Sequence, residues 1–268
     1  MLRATDVSFS YGANPVLRRV SVDVGDEGLV GIIGPNGSGK TTLLRILAGT
    51  LKPASGRMVL DDSDVSEVPR TTLARRMAVV AQETHLAFDY SVLEVVLMGR
   101  YPHLGPFEIE GPADIAIARE ALAETGTNQL EDRQFSTLSG GEKQRVIIAS
   151  ALAQVRRPHG GSRGTFLLLD EPTAALDLAY QLEVAALLRD IQRRMPIGVV
   201  VSTHDLNFAA ALCRTMVMLR NGTVIAAGST EDVLTRENIR QLYGVDADVH
   251  RHADAGHLVV VPLRRTAQ

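Results

Sequence analysis

Apolar residues in this chain fall into short dense runs, separated by stretches where they recur at helical spacing. Residues 28–33 form a run rich in branched side chains, the pattern of a strand buried on both faces. Residues 166–170 read the same way, four apolar positions closed by Asp170. Two more short strands are predicted at 77–81 and 197–202. Between them, 41–48 places Leu43, Leu44, Ile46 and Leu47 on one helical face, and Gly49 supplies the stop. Near the start, alternation through Leu2, Ala4, Asp6 and Val7 introduces strands at 7–9 and 16–24 with a turn at 12–15. Asn221–Gly222 between the runs 216–219 and 223–226 is a hairpin signal. Short helices with cap-like starts are predicted at 229–234 and 236–243.

From about 83 to 155 the pattern changes. Helical segments at 92–98, 113–125 and 142–154 are separated by turns, and 101–111, with two prolines and two glycines, is a loop. Residues 155–165 are a loop by composition, and 176–195 form a helix that Pro196 ends. Alternating strands and helices predict an α/β core with a mostly parallel sheet. An antiparallel β part stands at the N-terminus, and a helical subdomain (83–155) is inserted. Residues 1–245 are assigned to this domain. Residues 246–268 are a C-terminal extension that packs on the core or trails from it.

The 268 residues suit one such domain with an appended subdomain. The formal net charge of −3 gives no reason to expect a polyanion, so no nucleic-acid partner is expected. A single cysteine, Cys213, excludes an intrachain disulfide and fits a reducing compartment; it reads as a small apolar filler on a helix. No apolar run approaches the roughly 18 residues needed to cross a bilayer, and the N-terminus lacks a signal peptide's apolar core. If the chain serves transport, the membrane path lies in another chain.

Gly34-Pro35-Asn36-Gly37-Ser38-Gly39-Lys40-Thr41 fits a phosphate-binding loop in full, the cradle running on to Thr42, with a strand before it and a helix behind it. Its glycines let backbone N–H groups curl around phosphate oxygens, and the helix N-terminus adds a favourable dipole. Lys40 is expected on the β- and γ-phosphates and the Thr41 hydroxyl on Mg²⁺. The acidic strand delivers Asp170 to its carboxyl end, where ligands sit in open α/β sheets. Asp170 is the candidate Mg²⁺ partner, directly or through water. Glu171 is then placed as base or water-positioner for a γ-phosphate.

Such loops occur in kinases, GTPases and helicases as well as transport ATPases, and Leu138-Ser139-Gly140-Gly141-Glu142-Lys143-Gln144-Arg145 separates them. Ser139 and Glu142 fit a capping box that opens the helix at 142–154. Gly140 and Gly141 are expected to leave that helix N-terminus bare to an approaching phosphate. The segment resembles the signature sequence of the ABC ATPases, and the resemblance extends over roughly residues 1–245. It implies that Tyr11 stacks on adenine and that Gln82 contacts Mg²⁺ and senses a transmembrane partner. It further implies that Asp177 crosses a dimer interface and that His204 bonds the γ-phosphate. Catalytic roles thus fall to Lys40, Glu171 and His204, with MgATP shared between the cradle of one copy and Ser139–Glu142 of a second.

Residues 86–103, 177–181 and 204–207 look like the ATPases of bacterial importers for ferric siderophores, haem and vitamin B12. That branch implies a homodimer on two copies of a separate permease, at the cytoplasmic face of the inner membrane, with an extracytoplasmic substrate-binding protein acting through the permease. The stretch after Gln82 is where the family docks the permease, which makes Leu86, Phe88, Val92 and Val96 candidate partner-facing positions. The long 155–165 loop, whose Arg156, Arg157, His159 and Arg163 make a basic tip, is similar to an extension in some haem-import ATPases and tilts the cargo towards haem. A soluble ABC ATPase acting on DNA or ribosomes is the competing reading. It fits less well because such proteins usually carry two cassettes or a long coiled coil. A small-metabolite kinase would leave 138–145 unexplained.

Overall fold

The computed structural model describes residues 1–84, 86–156, 164–174 and 176–266. It is an α/β structure of two compact units, Met1–Glu67 with Val199–Gln268, and Val68–Gly198.

In the first unit, β1 (Leu2–Tyr11), β2 (Asn14–Val24), β4 (Ser55–Leu60) and β5 (Ser63–Asp64) form an antiparallel sheet in the order β2-β1-β4-β5. Asp6 and Arg19 take left-handed backbone at φ 47° and 50°, where the β1–β2 register shifts. The shift resets the alternation, so Leu2, Ala4 and Val7 all turn inward despite their odd spacing. The buried β3 (Leu29–Ile33) runs parallel to β8 (Ile197–Thr203) and β9 (Thr215–Arg220), and β10 (Thr223–Ser229) closes the row antiparallel to β9. The β9–β10 turn is the expected one, with Asn221 and Gly222 both at positive φ. Helix α1 (Lys40–Leu47) buries Leu43, Leu44, Ile46 and Leu47, as its spacing predicts. The remaining helices are α7 (Leu206–Leu212), α8 (Thr230–Val233) and α9 (Arg236–Tyr243). A hairpin of β11 (Val245–Arg251) and β12 (Leu258–Arg265) follows.

The second unit holds α2 (Arg70–Ala74) and the parallel pair β6 (Met77–Val80) and β7 (Thr165–Asp170). Around them stand α3 (Val92–Leu97), α4 (Pro112–Glu124), α5 (Gly140–Val155) and α6 (Leu178–Arg194). The loop expected at 101–111 begins inside a 3-10 turn, Met98–His103, that contains Pro102. Arg100 is the largest fully buried side chain among the described residues. It donates to Asp114 at 3.0 Å and to the carbonyls of Ala153 and Arg156, so its buried charge is paired and hydrogen-bonded.

Two expectations need correction here. Val92 and Val96 pack inside the unit and are wholly buried, so neither faces a partner; Phe88 does stand out, 73% exposed. Arg156 is not part of a basic tip. It is mostly buried and pairs with Glu120 at 2.9 Å and Glu124 at 2.5 Å. Arg157, His159 and Arg163 lie outside the described residues.

Candidate functional site

In the first unit, β3 is covered on both faces and its chain emerges at Gly34, while the β8 chain emerges at His204. The two strands pair in parallel with Ile33 opposite Thr203, so the loop and the histidine leave the same sheet edge side by side. This is the carboxyl edge, where open α/β sheets place their ligands. Gly37 at φ +77° and Gly39 at φ +104° turn the loop back on itself before α1 begins. Gly39 is the N-cap and offers no side-chain acceptor, which leaves the first-turn N–H groups of α1 without a side-chain cap. The glycines at 34 and 39 are also steric necessities. A Cβ at 34 would overlap the Leu219 carbonyl and the Ser38 side chain; at 39 it would stand 2.7 Å from Leu17 Cδ2.

Lys40 is buried, and its ammonium curls over the loop to donate to the carbonyls of Gly34 at 2.9 Å and Pro35 at 3.3 Å. Ser38 Oγ is buried with no hydrogen-bond partner among the described residues. A buried hydroxyl without a partner costs about 1–3 kcal/mol. A phosphate oxygen at the helix N-terminus would satisfy it, so this loop fits a phosphate by donor supply as well as by shape. Asn36 and Thr41 are exposed, Thr42 is buried and Pro35 is half-buried.

Sequence reading missed the buttress beneath this loop. The N–H of Gly222 donates to the Ser38 carbonyl at 3.1 Å, and the Gly222 carbonyl accepts from Arg18 at 2.8 Å. The Asn221–Gly222 turn was legible, but nothing local tells where it packs. Tyr11 ends β1 with its ring 46% exposed and edge-on to Phe9 at 4.9 Å. An aromatic held by a neighbour with one side open suits stacking on a flat ligand.

In the second unit the same edge logic repeats. Val80 pairs with Leu169, so Gln82 and the Asp170–Glu171 pair emerge together from β6 and β7. Asp170 is buried, and Glu171 sits at φ +46°. Left-handed backbone at a non-glycine residue costs on the order of 1 kcal/mol and recurs at functional sites. Gln82 and Glu171 line a cavity of about 180 Å³ together with Gly140, Lys143, Gln144 and Leu176.

The capping box forms as expected. Glu142 N–H donates to Ser139 Oγ at 3.3 Å, and Ser139 N–H donates to the Glu142 carboxylate at 2.8 Å. That backbone bond, with the Ser139 side chain, holds the Glu142 carboxyl below its ordinary range. The helix starts earlier than expected, at Gly140. Gly141 is buried rather than bare, its Cα pressed on the Tyr180 ring; only Gly140 is open, with nothing nearer to a Cβ than Leu176 at 3.5 Å. Asp177 serves locally as the N-cap of α6, accepting from Tyr180 N–H at 3.1 Å.

The oxygens of Thr41, Gln82 and Asp170 are hard donors of the kind Mg²⁺ selects over softer metals. Cys213 closes α7 beside Gly31, and burial pushes its thiol up to about 12, which makes it inert packing. No helix among the described residues is long and apolar enough to cross a membrane.

Known proteins share this fold. The family model described as ABC transporter matches residues 17–174. A hemin import ATP-binding protein of Bordetella pertussis is 40% identical over 261 residues, 97% of this chain and 98% of its own length. A metal-chelate type ABC transporter solved in an inward-facing conformation superposes with a TM-score of 0.83 at 31% identity, covering 98% of this chain and 96% of that one. A bacterial ABC transporter cassette solved as a dimer gives 0.72 at 27% identity, covering 86% of this chain and 99% of that one.

Proposed function

This chain belongs to the ABC transporter family, and we propose that it is the ATP-binding and ATP-hydrolysing subunit that energises a bacterial importer of iron chelates, with haem as the favoured cargo. The observation that carries the reading is the pairing, in one chain, of the Gly34–Thr42 cradle with the glycine-opened signature at the head of α5. Near-full-length similarity to a hemin import ATP-binding protein and to a metal-chelate transporter supports the cargo class. Ferric siderophore and cobalamin are the alternative cargoes.

In this reading residues 1–245 are the ATPase domain, with a helical subdomain at about 83–155 and the extension at 246–268. Two copies close on two ATP molecules, as the dimeric cassette supports. Gly34, Pro35, Asn36, Gly37, Ser38 and Gly39 wrap the phosphates, Lys40 neutralises the β- and γ-oxygens, and Tyr11 stacks on adenine. Ser139, Gly140 and Glu142 of one copy, with the buried Gly141 backing them, cover the γ-phosphate held by the other, and Asp177 lies along the shared interface. Thr41, Gln82 and Asp170 would hold Mg²⁺, which when bound offsets charge on the phosphate oxygens. Glu171 accepts a proton from, or orients, the attacking water, and His204 donates to the γ-phosphate. Catalysis by positioning and charge stabilisation is what phosphoryl transfer needs.

The dimer works on two copies of a separate permease that docks near Gln82 and the exposed Phe88. It sits at the cytoplasmic face of the inner membrane and answers to an extracytoplasmic binding protein. The test is ATP turnover of the chain reconstituted with its permease, with the binding protein loaded in turn with haem, a ferric siderophore or cobalamin. Stimulation by haem alone is expected. Stimulation only by another cargo would move the assignment, and indifference to all three in an assembled complex would refute the branch.

A further inference from the structure

His204 sits on a two-residue link between β8 and α7, and the C-terminal segment grips the chain at two points, one on the link and one in the first turn of α7. The Tyr243 hydroxyl, at the end of α9, donates to the His204 carbonyl at 3.0 Å. Three residues on, the Asn207 amide pairs with the backbone of β12: its N–H donates to the Val260 carbonyl at 3.1 Å, and its oxygen accepts from Val260 N–H at 2.8 Å. Asp205 finishes the link by capping α7 through Asn207 and Phe208 N–H at 2.9 and 3.0 Å.

Both grips belong to one closed piece of chain. After Tyr243, Gly244 reverses direction at φ +66°, and its carbonyl accepts from Thr266 N–H at 2.9 Å and Thr266 Oγ1 at 2.8 Å. The base of the β11–β12 hairpin is thereby shut one residue from Tyr243. Asp246 ties the piece together further, accepting from Arg240 at 2.8 Å and Arg264 at 3.1 Å. Helix α7 has only seven residues, too short to fix its own start.

We propose that Tyr243 and Asn207 are positioning residues for His204, and that the C-terminal hairpin is the brace through which they act. The proposal rests on the reading that His204 serves ATP hydrolysis. A carbonyl pinned at His204 and an amide pinned at Asn207 hold the segment from both sides. Fixing the backbone on both sides of His204 sets the direction its side chain takes, and phosphoryl transfer is sensitive to misplacement.

The experiment compares Tyr243→Phe, Asn207→Ala and His204→Ala in the full-length chain bound to its permease, reading kcat, KM for ATP and thermal unfolding. Tyr243→Phe keeps the ring and deletes one donor. It is expected to lower kcat by about three- to tenfold, the worth of one hydrogen bond, with KM and the unfolding midpoint held. Asn207→Ala is expected to act in the same direction, and neither change is expected to lower the residual rate further once His204 is Ala. If His204→Ala depresses turnover while both other variants run at the wild-type kcat, the brace is refuted and the histidine's role stands. If His204→Ala itself turns over normally, the underlying reading fails. Equal losses in kcat, ATP affinity and unfolding midpoint would mark general damage and refute positioning.

Discussion

Gly141 abuts the ring of Tyr180 so closely that a Cβ there would stand 2.2 Å from ring carbon Cδ1, so the signature helix α5 and helix α6 touch where only glycine fits. A methyl at 141 would overlap Cδ1, Cε1 and Cγ of the ring, atoms that cannot swing away as a flexible chain end would. Gly141→Ala therefore loses more by overpacking than it gains in helix propensity, a net cost of about 1–3 kcal/mol. Denaturant unfolding is expected to show that loss, and Tyr180→Ala in the same chain to recover part of it. Equal stability of the single variant and wild type would refute the contact.

The Asn221–Gly222 turn is a support of the phosphate loop, although it contributes no ligand. Gly222 needs its φ of +76°, and a Cβ there would strike the Val16 carbonyl. Gly222→Val is expected to displace the donor to Ser38 and weaken ATP binding by about tenfold, the scale of one hydrogen bond plus backbone strain. Titration with a fluorescent ATP analogue checks this; unchanged affinity would show that the cradle stands without the turn.

How much of this was legible in the sequence depends on how local each feature is. Strands β3 and β7 and helix α1 announce themselves because both strands are buried on all sides and α1 on one clean stripe. The cradle and the signature are linear motifs whose residues also act locally. Strand β4 was missed because Ser55-Gly56-Arg57 is polar, and α7 because it is a short alanine-rich stretch. The β11–β12 hairpin hides behind Pro262 and a long polar turn. Gly141 was read as an opening for phosphate because sequence does not say which helix passes overhead. The Gly222 buttress and the Tyr243 contact are tertiary, between residues 184 and 39 positions apart, and leave no local trace.

His103 gives the unit a pH dependence below neutrality. Burial holds its imidazole below the usual pKa of about 6.5 against the opposing Gln154 carbonyl at 2.7 Å; Arg100 and Arg75 add to the lowering. The unfolded chain therefore takes up this proton first. The stability contributed by the neutral ring is complete above about pH 6.5 and is lost as pH falls from there through the folded value. His103→Gln is expected to cost about 1 kcal/mol at pH 7.5 for the weakened bond, yet to lose less than wild type between pH 7.5 and 5.5. Urea melts at both pH values decide it, and identical losses would remove His103 as the cause.

Glu171 stands at the centre of the functional account, a carboxylate on strained backbone directly after the buried Asp170. The most direct measurement is MgATP turnover and particle mass of Glu171→Gln beside wild type. The predicted result is a dimer that retains two ATP molecules and turns over at least a hundredfold more slowly, the scale of lost general-base catalysis. A variant that hydrolyses ATP at the wild-type rate, or that stays monomeric with MgATP bound, would contradict the two-ATP sandwich and Glu171's place in it.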